Sequence, residues 1–191
     1  MKKVLIIAGP SAVGKTTVMS EILSKNSGFE LVRSATTREA RGDSYDSEYI
    51  YCSRAEFENY IANSEMLEYT EYNGNYYGTP ASEIERIFGD GKTPFLILDI
   101  NGVISFKKMK DRFPSFSVYL TAPLSVLEER LYERAQKKGL TEEALLTYRN
   151  RVLANKELMD NFGKISKYFD LVIENESVGR TADEILKSFN N

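Results

Sequence analysis

The chain has 191 residues, a formal net charge of −3 and 42% hydrophobic residues. This length and composition fit one compact domain with small inserted lobes. The acidic balance argues against a nucleic-acid binder, which needs a basic surface to neutralise phosphates. The absence of histidine and the single cysteine, Cys52, exclude histidine acid–base catalysis, a zinc finger and an intrachain disulfide. No apolar segment is long enough for a signal peptide or a membrane helix, so we expect a cytoplasmic protein without membrane association.

Five apolar runs are continuous rather than alternating, which is typical of strands buried on both faces of a parallel sheet. They are VLIIA (4–8), FELV (29–32), FLILDI (95–100), FSVYL (116–120) and FDLVI (169–173). Helical patterns lie between most of these runs. The two clearest apolar stripes are formed by Val18, Ile22 and Leu23 and by Leu124, Leu127 and Leu131. The alternation of strands and helices predicts an α/β fold.

A Ser or Thr followed three residues later by Glu predicts a capped helix N-terminus. The four residues that fit this pattern are Ser53, Ser82, Ser125 and Thr181. The segment 34–90 is rich in tyrosine and interrupts the alternation, whereas 125–160 is charged and helical. We expect each of these two segments to form a lobe on the sheet.

The segment GPSAVGKTT follows the first strand directly, and a helical pattern begins behind it. It satisfies the phosphate-loop (P-loop) pattern G-x-x-x-x-G-K-[ST], in which backbone N–H groups surround a phosphate and the lysine reaches the β- and γ-oxygens. The sequence therefore predicts ATP binding through Gly9, Pro10, Ser11, Ala12, Val13, Gly14, Lys15, Thr16 and Thr17.

A magnesium ion bound with ATP takes a hydroxyl from this loop and an acid from the end of a neighbouring strand. Thr16 supplies the hydroxyl, and Asp99 follows the apolar run FLIL. We therefore predict Mg²⁺ as the cofactor and Thr16 and Asp99 as its ligands. A capping role for Asp99 at the strand end is the alternative.

A second anion site is predicted in SATTREARGD (34–43), where Arg38 and Arg41 lie three residues apart. A planar guanidinium binds phosphate oxygens through two hydrogen bonds, and two such groups repel each other unless an anion lies between them. We predict that Arg38 and Arg41 hold the phosphate of an acceptor nucleotide. A solvated loop is the alternative.

These motifs, together with EYTEYNGNYYGTP, LDI and RLYER, resemble those of the guanylate kinases over nearly the whole chain. The residues that the resemblance assigns to the GMP phosphate are Arg38, Arg41, Tyr49 and Tyr77, and those that it assigns to the guanine are Ser34, Glu68 and Thr79. A carboxylate suits guanine, which presents two adjacent donors, whereas adenine presents an acceptor at the same ring nitrogen. Without the resemblance, Glu68 reads as a solvent-exposed acid.

The chain departs from the family in LDINGV, where Asn101 replaces a second acid and the connection to Gly102 is shorter. Asn101 keeps an acceptor oxygen, so we expect it to contact GMP and to leave the metal to Asp99. The resemblance also implies a P-loop NTPase-type parallel sheet flanked by helices, with an inserted NMP-binding lobe and a helical lid, in a single guanylate-kinase-like domain. Its predicted parts are a core of 1–33, 91–124 and 161–191, an NMP-binding lobe of about 34–90 and a lid of about 125–160.

In the predicted lid, Arg130 and Arg134 are four residues apart and lie on one helix face, where both can reach the transferring phosphoryl group. Ion pairs with Glu129 or Glu133 are the alternative. Arg149 and Arg151 differ by about 200° around a helix, so only one can face the site, and the sequence does not decide which. The predicted catalytic residues are Lys15, Arg38, Arg130, Arg134 and Arg149.

The predicted reaction is ATP + GMP to ADP + GDP, by direct transfer and without a covalent enzyme intermediate. The alternatives are a kinase of the same fold with another phosphorylated acceptor and a non-catalytic module that binds phosphorylated peptides. The expected partners are ATP and GMP, with no nucleic acid and no membrane. The sequence leaves open whether dGMP is used and whether the protein is a monomer or a small homo-oligomer.

Overall fold

The computed structural model describes residues 2–40, 42, 46–72 and 74–191. The chain is divided into two compact units. Unit 1 comprises Met1–Leu5, Asn26–Leu96 and Asn101–Ser115, and unit 2 comprises Ile6–Lys25, Ile97–Ile100 and Phe116–Asn191. Among the described helices, none combines the length and the apolar character that a membrane span requires.

The main sheet has five parallel strands, which are β1 (Val4–Ala8), β2 (Phe29–Leu31), β7 (Thr93–Ile97), β8 (Ser115–Thr121) and β9 (Leu171–Glu174). Their order across the sheet is β2-β7-β1-β8-β9. All five residues of β1 are buried, because continuous apolar strands pack on both faces. This sheet confirms the predicted α/β class and the P-loop type of sheet.

A second sheet lies in unit 1 and contains the strands β3 (Ser34–Thr36), β4 (Tyr49–Tyr51), β5 (Met66–Tyr72) and β6 (Asn75–Pro80). Their order across the sheet is β4-β3-β6-β5. Helices α2 (Arg54–Ala62), α3 (Ala81–Gly89) and α4 (Ile100–Lys107) belong to the same unit, apart from Ile100. Phe57 of α2 is fully buried against Ala35 and Met66, so α2 covers one face of this sheet.

The remaining helices belong to unit 2. They are α1 (Lys15–Lys25), α5 (Leu124–Lys137), α6 (Glu142–Asp160), α7 (Phe162–Ile165) and α8 (Val178–Asn190). Val18 and Ile22 of α1 and Leu127 and Leu131 of α5 are buried, as the apolar stripes predicted. The predicted boundaries of the core, NMP-binding lobe and lid stay a prediction.

The predicted helix caps are correct at one position of four. Ser53 caps α2 and forms a reciprocal capping box with Glu56. Ser82 and Ser125 lie inside α3 and α5, whose N-caps are prolines without a side-chain hydrogen bond. Thr181 lies inside α8 and donates its hydroxyl hydrogen bond to Asn175 over 2.9 Å. A proline sets an extended entry to a helix by its fixed φ, so the pattern of hydroxyl and acid does not mark the starts of α3 and α5.

Candidate active site

The loop between β1 and α1 has the backbone shape that its glycines predict. Gly9 and Gly14 adopt φ of +146° and +102°, a region that side chains rarely enter. A Cβ at Gly9 would lie 2.4 Å from the carbonyl oxygen of Leu120, and one at Gly14 would lie 2.6 Å from Nδ2 of Asn175. Both glycines are therefore required by conformation and by space. The loop leads into the N-terminus of α1, whose first N–H groups have no partner within the helix and attract anions.

Three side chains of unit 2 hold successive peptide groups of this loop. Asn155 of α6 bonds both backbone groups of Ser11. Arg130 of α5 donates from Nη1 to the carbonyl of Ala12 over 3.3 Å. Asn175, directly after β9, donates to the carbonyl of Val13 over 2.8 Å and accepts from Thr181. The loop is thus fixed from three separate elements.

Lys15 is the first residue of α1, and its ammonium folds back onto the loop. It donates to the carbonyl oxygens of Gly9 and Pro10 over 2.8 and 2.9 Å. Burial, followed by the positive charges of Arg134 and Arg151, lowers the pKa of Lys15 to about 8. Three cations therefore share one region of unit 2. Such a cluster favours a polyanion, which would neutralise their repulsion.

Arg149 and Arg151 are both exposed but differ in their surroundings. Arg151 acts electrostatically on Lys15 and lines a cavity with Arg134, whereas Arg149 is not among the charges that shift the pKa of Lys15 and does not line that cavity. Arg130 and Arg134 line a cavity of about 240 Å³ together with Gly14 and Thr17 of the loop. Arg130, Arg134 and Arg151 thus lie near the loop.

The two predicted metal ligands belong to the same edge of the sheet in unit 2. The N–H of Leu98 donates to the carbonyl of Ile7 over 3.1 Å, so Asp99 follows the strand next to the one that enters the loop. Thr16, the second residue of α1, and Asp99 are both exposed. No cluster of three or more acids, cysteines or histidines occurs among the described residues. This set fits a divalent cation that takes its other ligands from phosphates and water.

The predicted acceptor residues of unit 1 form a row across the four-stranded sheet. Ser34 pairs with Tyr49, and Glu68 pairs with Thr79. The register between Ala35 and Gly78 continues this row from Ser34 to Thr79. Residues opposite one another on neighbouring strands project from the same face. The row, defined as Tyr49, Ser34, Thr79 and Glu68, therefore lines one face of this sheet.

The other face of this sheet is packed against α2. Tyr76 stacks on Phe57 with ring centroids 5.1 Å apart, in the cluster that also contains Ala35 and Met66. Tyr77, the next residue of β6, lies on the side of the row, and its ring meets that of Tyr49 at 6.3 Å. Tyr76 is thus a packing residue, whereas Tyr77 is available on the candidate face.

Arg38 lies at the Tyr49 end of the row. Its guanidinium lies 5.3 Å from the ring centroid of Tyr49 and 5.7 Å from that of Tyr51. Nη2 donates to the hydroxyl of Tyr51 over 3.1 Å and approaches Asp46 at 3.5 Å. Stacking on aromatic rings and pairing with an acid hold the guanidinium in place. The second predicted arginine, Arg41, lies outside the described residues.

Glu68 reaches the row through a β-bulge in β5. Met66 pairs with Pro80 and Glu68 with Thr79, so two steps along β5 match one step along β6. Met66 and Glu68 consequently point to opposite faces, although they are two residues apart. Met66 packs against Phe57, whereas Glu68 accepts a hydrogen bond of 2.7 Å from the buried Thr79 hydroxyl. Asn101 is the second residue of α4 and is exposed.

Fold and loop together define a P-loop nucleotide-binding protein. The family model of guanylate kinase matches residues 1–191. The chain belongs to the guanylate kinase family.

Individual relatives agree with the family match. The guanylate kinase of Bacillus subtilis (strain 168) is 37% identical over 186 residues, which cover 95% of this chain and 84% of that protein. The guanylate kinase of Prochlorococcus marinus subsp. pastoris is 36% identical over 189 residues, covering 98% and 96%. Among solved structures, the guanylate kinase from Anaplasma phagocytophilum has a TM-score of 0.66 and 25% identity, covering 99% of this chain and 85% of that one.

Four residues near the predicted sites were not predicted from the sequence. Asn155 and Asn175 contact the loop, and Tyr51 and Asp46 contact Arg38. Tyr51 and Asp46 lie close to Arg38 in the chain. Tyr49 and Tyr51 are two residues apart on β4, and this spacing indicates that both rings lie on one face of the sheet. Asn155 and Asn175 carry no local signal, because each bonds a residue more than 140 positions away.

Proposed function

We propose that this chain transfers the γ-phosphoryl group of ATP to the phosphate of GMP and so produces ADP and GDP. Membership in the guanylate kinase family supports the reaction. The observation that carries the choice of acceptor is the row of Tyr49, Ser34, Thr79 and Glu68, with Arg38 at its Tyr49 end. Four adjacent strands span about 14 Å, a length over which one nucleotide can meet both ends of the row.

We assign the Glu68 end of the row to guanine. The hydroxyl of Thr79 donates to Oε1 of Glu68 and so fixes the carboxylate. A fixed carboxylate can accept from both the ring N1–H and the exocyclic amine of guanine. Adenine would place a lone pair against the negative charge, so this end selects against it. Ser34, between Tyr49 and Thr79, is a further hydroxyl for the base.

We assign the opposite end to the phosphate of GMP. The guanidinium of Arg38 and the hydroxyls of Tyr49 and Tyr77 are suitable donors to phosphate oxygens. Arg41 is proposed as a second guanidinium on the strength of its motif. Asn101 is proposed as a further contact to GMP through its amide. The contact between Asp46 and Arg38 implies that the acceptor phosphate competes with a carboxylate for this arginine.

On the donor side, we propose that residues Gly9 to Thr17 bind the phosphates of ATP. Lys15 would exchange its two loop carbonyls for phosphate oxygens, and Arg134 and Arg151 would neutralise charge on the transferring group. Arg130, which lines the cavity beside Gly14 and Thr17, completes the cationic surface. The acceptor phosphate is already an anionic oxygen nucleophile, so no general base is required. This agrees with the absence of histidine.

The family generally implies a divalent metal, and we propose that this metal is Mg²⁺. Thr16 and Asp99 would hold it, and Mg²⁺ would offset negative charge on the β- and γ-phosphates. A cytoplasmic location is proposed on the chemistry of the substrates, since ATP and GMP occur in the cytoplasm. Use of dGMP and the state of assembly, monomer or small homo-oligomer, stay open predictions.

A coupled ADP-release assay with ATP, Mg²⁺ and a panel of nucleoside monophosphates tests the function. We expect turnover with GMP and at most trace turnover with AMP, CMP and UMP. Lys15→Met is the control that should abolish turnover, since it removes a charge aimed at the transferring oxygens. Turnover on a different acceptor would overturn the assignment of GMP, and no turnover on any acceptor would overturn the assignment as a kinase.

A further inference from the structure

Asn155 makes a two-point contact with the phosphate-binding loop. Its Oδ1 accepts from the N–H of Ser11 over 2.8 Å, and its Nδ2 donates to the carbonyl of Ser11 over 3.1 Å. Asn155 is 1% exposed and is one of three buried residues of α6, with Ala144 and Val152. A buried amide is costly unless its donor and its acceptor are both paired, and Ser11 pairs both.

The residue after Ser11 is held by apolar packing. Val152, one turn before Asn155 on α6, packs with Leu131 of α5 and with Ala12 of the loop. Ala12 has φ of +67°, a conformation that an alanine rarely adopts. Such a conformation persists only where the surroundings fix it. Asn155 holds the residue before Ala12, and the apolar cluster holds the Ala12 side chain.

We propose that Asn155 is a positioning residue for ATP, because it fixes the backbone of Ser11 and thereby presets the shape of the loop before the phosphates bind. The inference rests on the proposed binding of ATP by this loop. A preset loop loses less conformational freedom on binding, so the affinity for the nucleotide rises. Asn155 does not touch the reacting atoms in this role. Its loss should therefore affect the donor nucleotide and leave the acceptor unaffected.

Steady-state kinetics of Asn155→Ala test the proposal. We expect the KM for ATP to rise about tenfold, which corresponds to about 1.4 kcal/mol, while the KM for GMP stays within about twofold of the wild-type value. Titration calorimetry with ADP should show a similar loss of affinity without any turnover. Asn150→Ala, at an exposed position of the same helix, is the matched control and should change neither constant.

Asn155→Asp adds a readout that a purely structural role would not give. A protonated carboxyl has the shape of the amide and can both accept from and donate to Ser11, whereas a carboxylate can only accept. Burial raises the pKa of a carboxyl at this position, so protonation occurs at accessible pH. The ADP affinity of Asn155→Asp relative to wild type should therefore recover as the pH falls, while that of Asn155→Ala should stay reduced at every pH.

Three outcomes would overturn the proposal. In the first, Asn155→Ala binds ADP as wild type does. In the second, the KM values for ATP and GMP rise together with a lower melting temperature, which would make Asn155 a packing residue. In the third, Asn155→Ala does not fold and Asn155→Asp shows no recovery at low pH. If the wild-type protein binds ADP but does not phosphorylate GMP, the proposed function fails, whereas the ADP titrations still decide the role of Asn155.

Discussion

Replacing Glu68 by glutamine should weaken binding of GMP and relax the preference for guanine. The hydroxyl of Thr79 donates to Oε1 of Glu68 over 2.7 Å, and a glutamine oxygen can accept the same bond, so the local structure should persist. The amide nitrogen of the glutamine is a donor, and it would face a donor of guanine, so one hydrogen bond to the base is lost. Loss of one charge-assisted hydrogen bond costs about 1.5 to 3 kcal/mol, which is roughly a 10- to 150-fold rise in the KM for GMP.

The assay measures kcat and KM for GMP and for AMP by coupled ADP release. The ratio of kcat/KM for AMP to kcat/KM for GMP should rise in Glu68→Gln, because the new amide can donate to the adenine ring nitrogen. Glu71→Gln is the matched control, since Glu71 is an exposed acid of the same strand. This variant should leave the kinetic constants for GMP and for AMP unchanged. Unchanged GMP kinetics in Glu68→Gln would show that Glu68 serves only as the partner of Thr79.

Further outcomes are expected for the cations of unit 2 and for the ion pairs of unit 1. Arg151→Ala should lower kcat by about 100-fold, because the charge of Arg151 acts on Lys15, whereas Arg149→Ala should lower it by less than about threefold. If single-turnover rates fall more in Arg149→Ala than in Arg151→Ala, Arg149 is the catalytic arginine. Because Lys15 without nucleotide has a pKa of about 8, it is charged below that pH and neutral above it. The value of kcat/KM for ATP should accordingly fall above about pH 8. In contrast, kcat at saturating ATP should stay level to higher pH, since bound phosphates raise the pKa of the lysine. If kcat and kcat/KM fall at the same pH, the assignment of this titration to Lys15 is wrong. Burial raises the pKa of Glu83, but hydrogen bonds from Arg86 and Arg33 outweigh burial and lower this pKa from 4.5 to about 2. The contribution of Glu83 to stability is therefore complete above pH 4.5 and is lost as the pH falls towards 2. Glu83→Gln should reduce the free energy of unfolding by about 2 kcal/mol at pH 7 and Glu85→Gln, in an exposed pair, by less than about 0.5; equal effects in urea titrations would contradict the buried role.

The sheet was predictable because its signal is local. VLIIA coincides with β1, and the other four apolar runs each overlap a strand of the same sheet. The end of FLILDI differs, since β7 begins at Thr93 and stops at Ile97, and α4 begins at Ile100. Residues after a buried strand remain apolar where the next helix packs, so composition alone does not mark the end of the strand.

The candidate site was predictable where a motif places its residues and not where distant segments meet. The loop around Lys15 carries its own signature, and the turn into α1 follows from Gly9 and Gly14. Asn155 gave no such signal, because an asparagine in a charged helix is usually exposed and its partner lies 144 residues away. The choice between Arg149 and Arg151 likewise depends on how α6 packs on its neighbours.

The bulge in β5 makes the placement of Glu68 a matter of residue count. Without the bulge, Met66 and Glu68 would lie two residues apart in a regular pleat and would project from the same face. Glu68 would then point towards Phe57 without any change in its identity. Efforts to alter the acceptor by substitution should therefore keep the bulge intact, because a change that straightened β5 would remove the acid from the row as completely as replacing it.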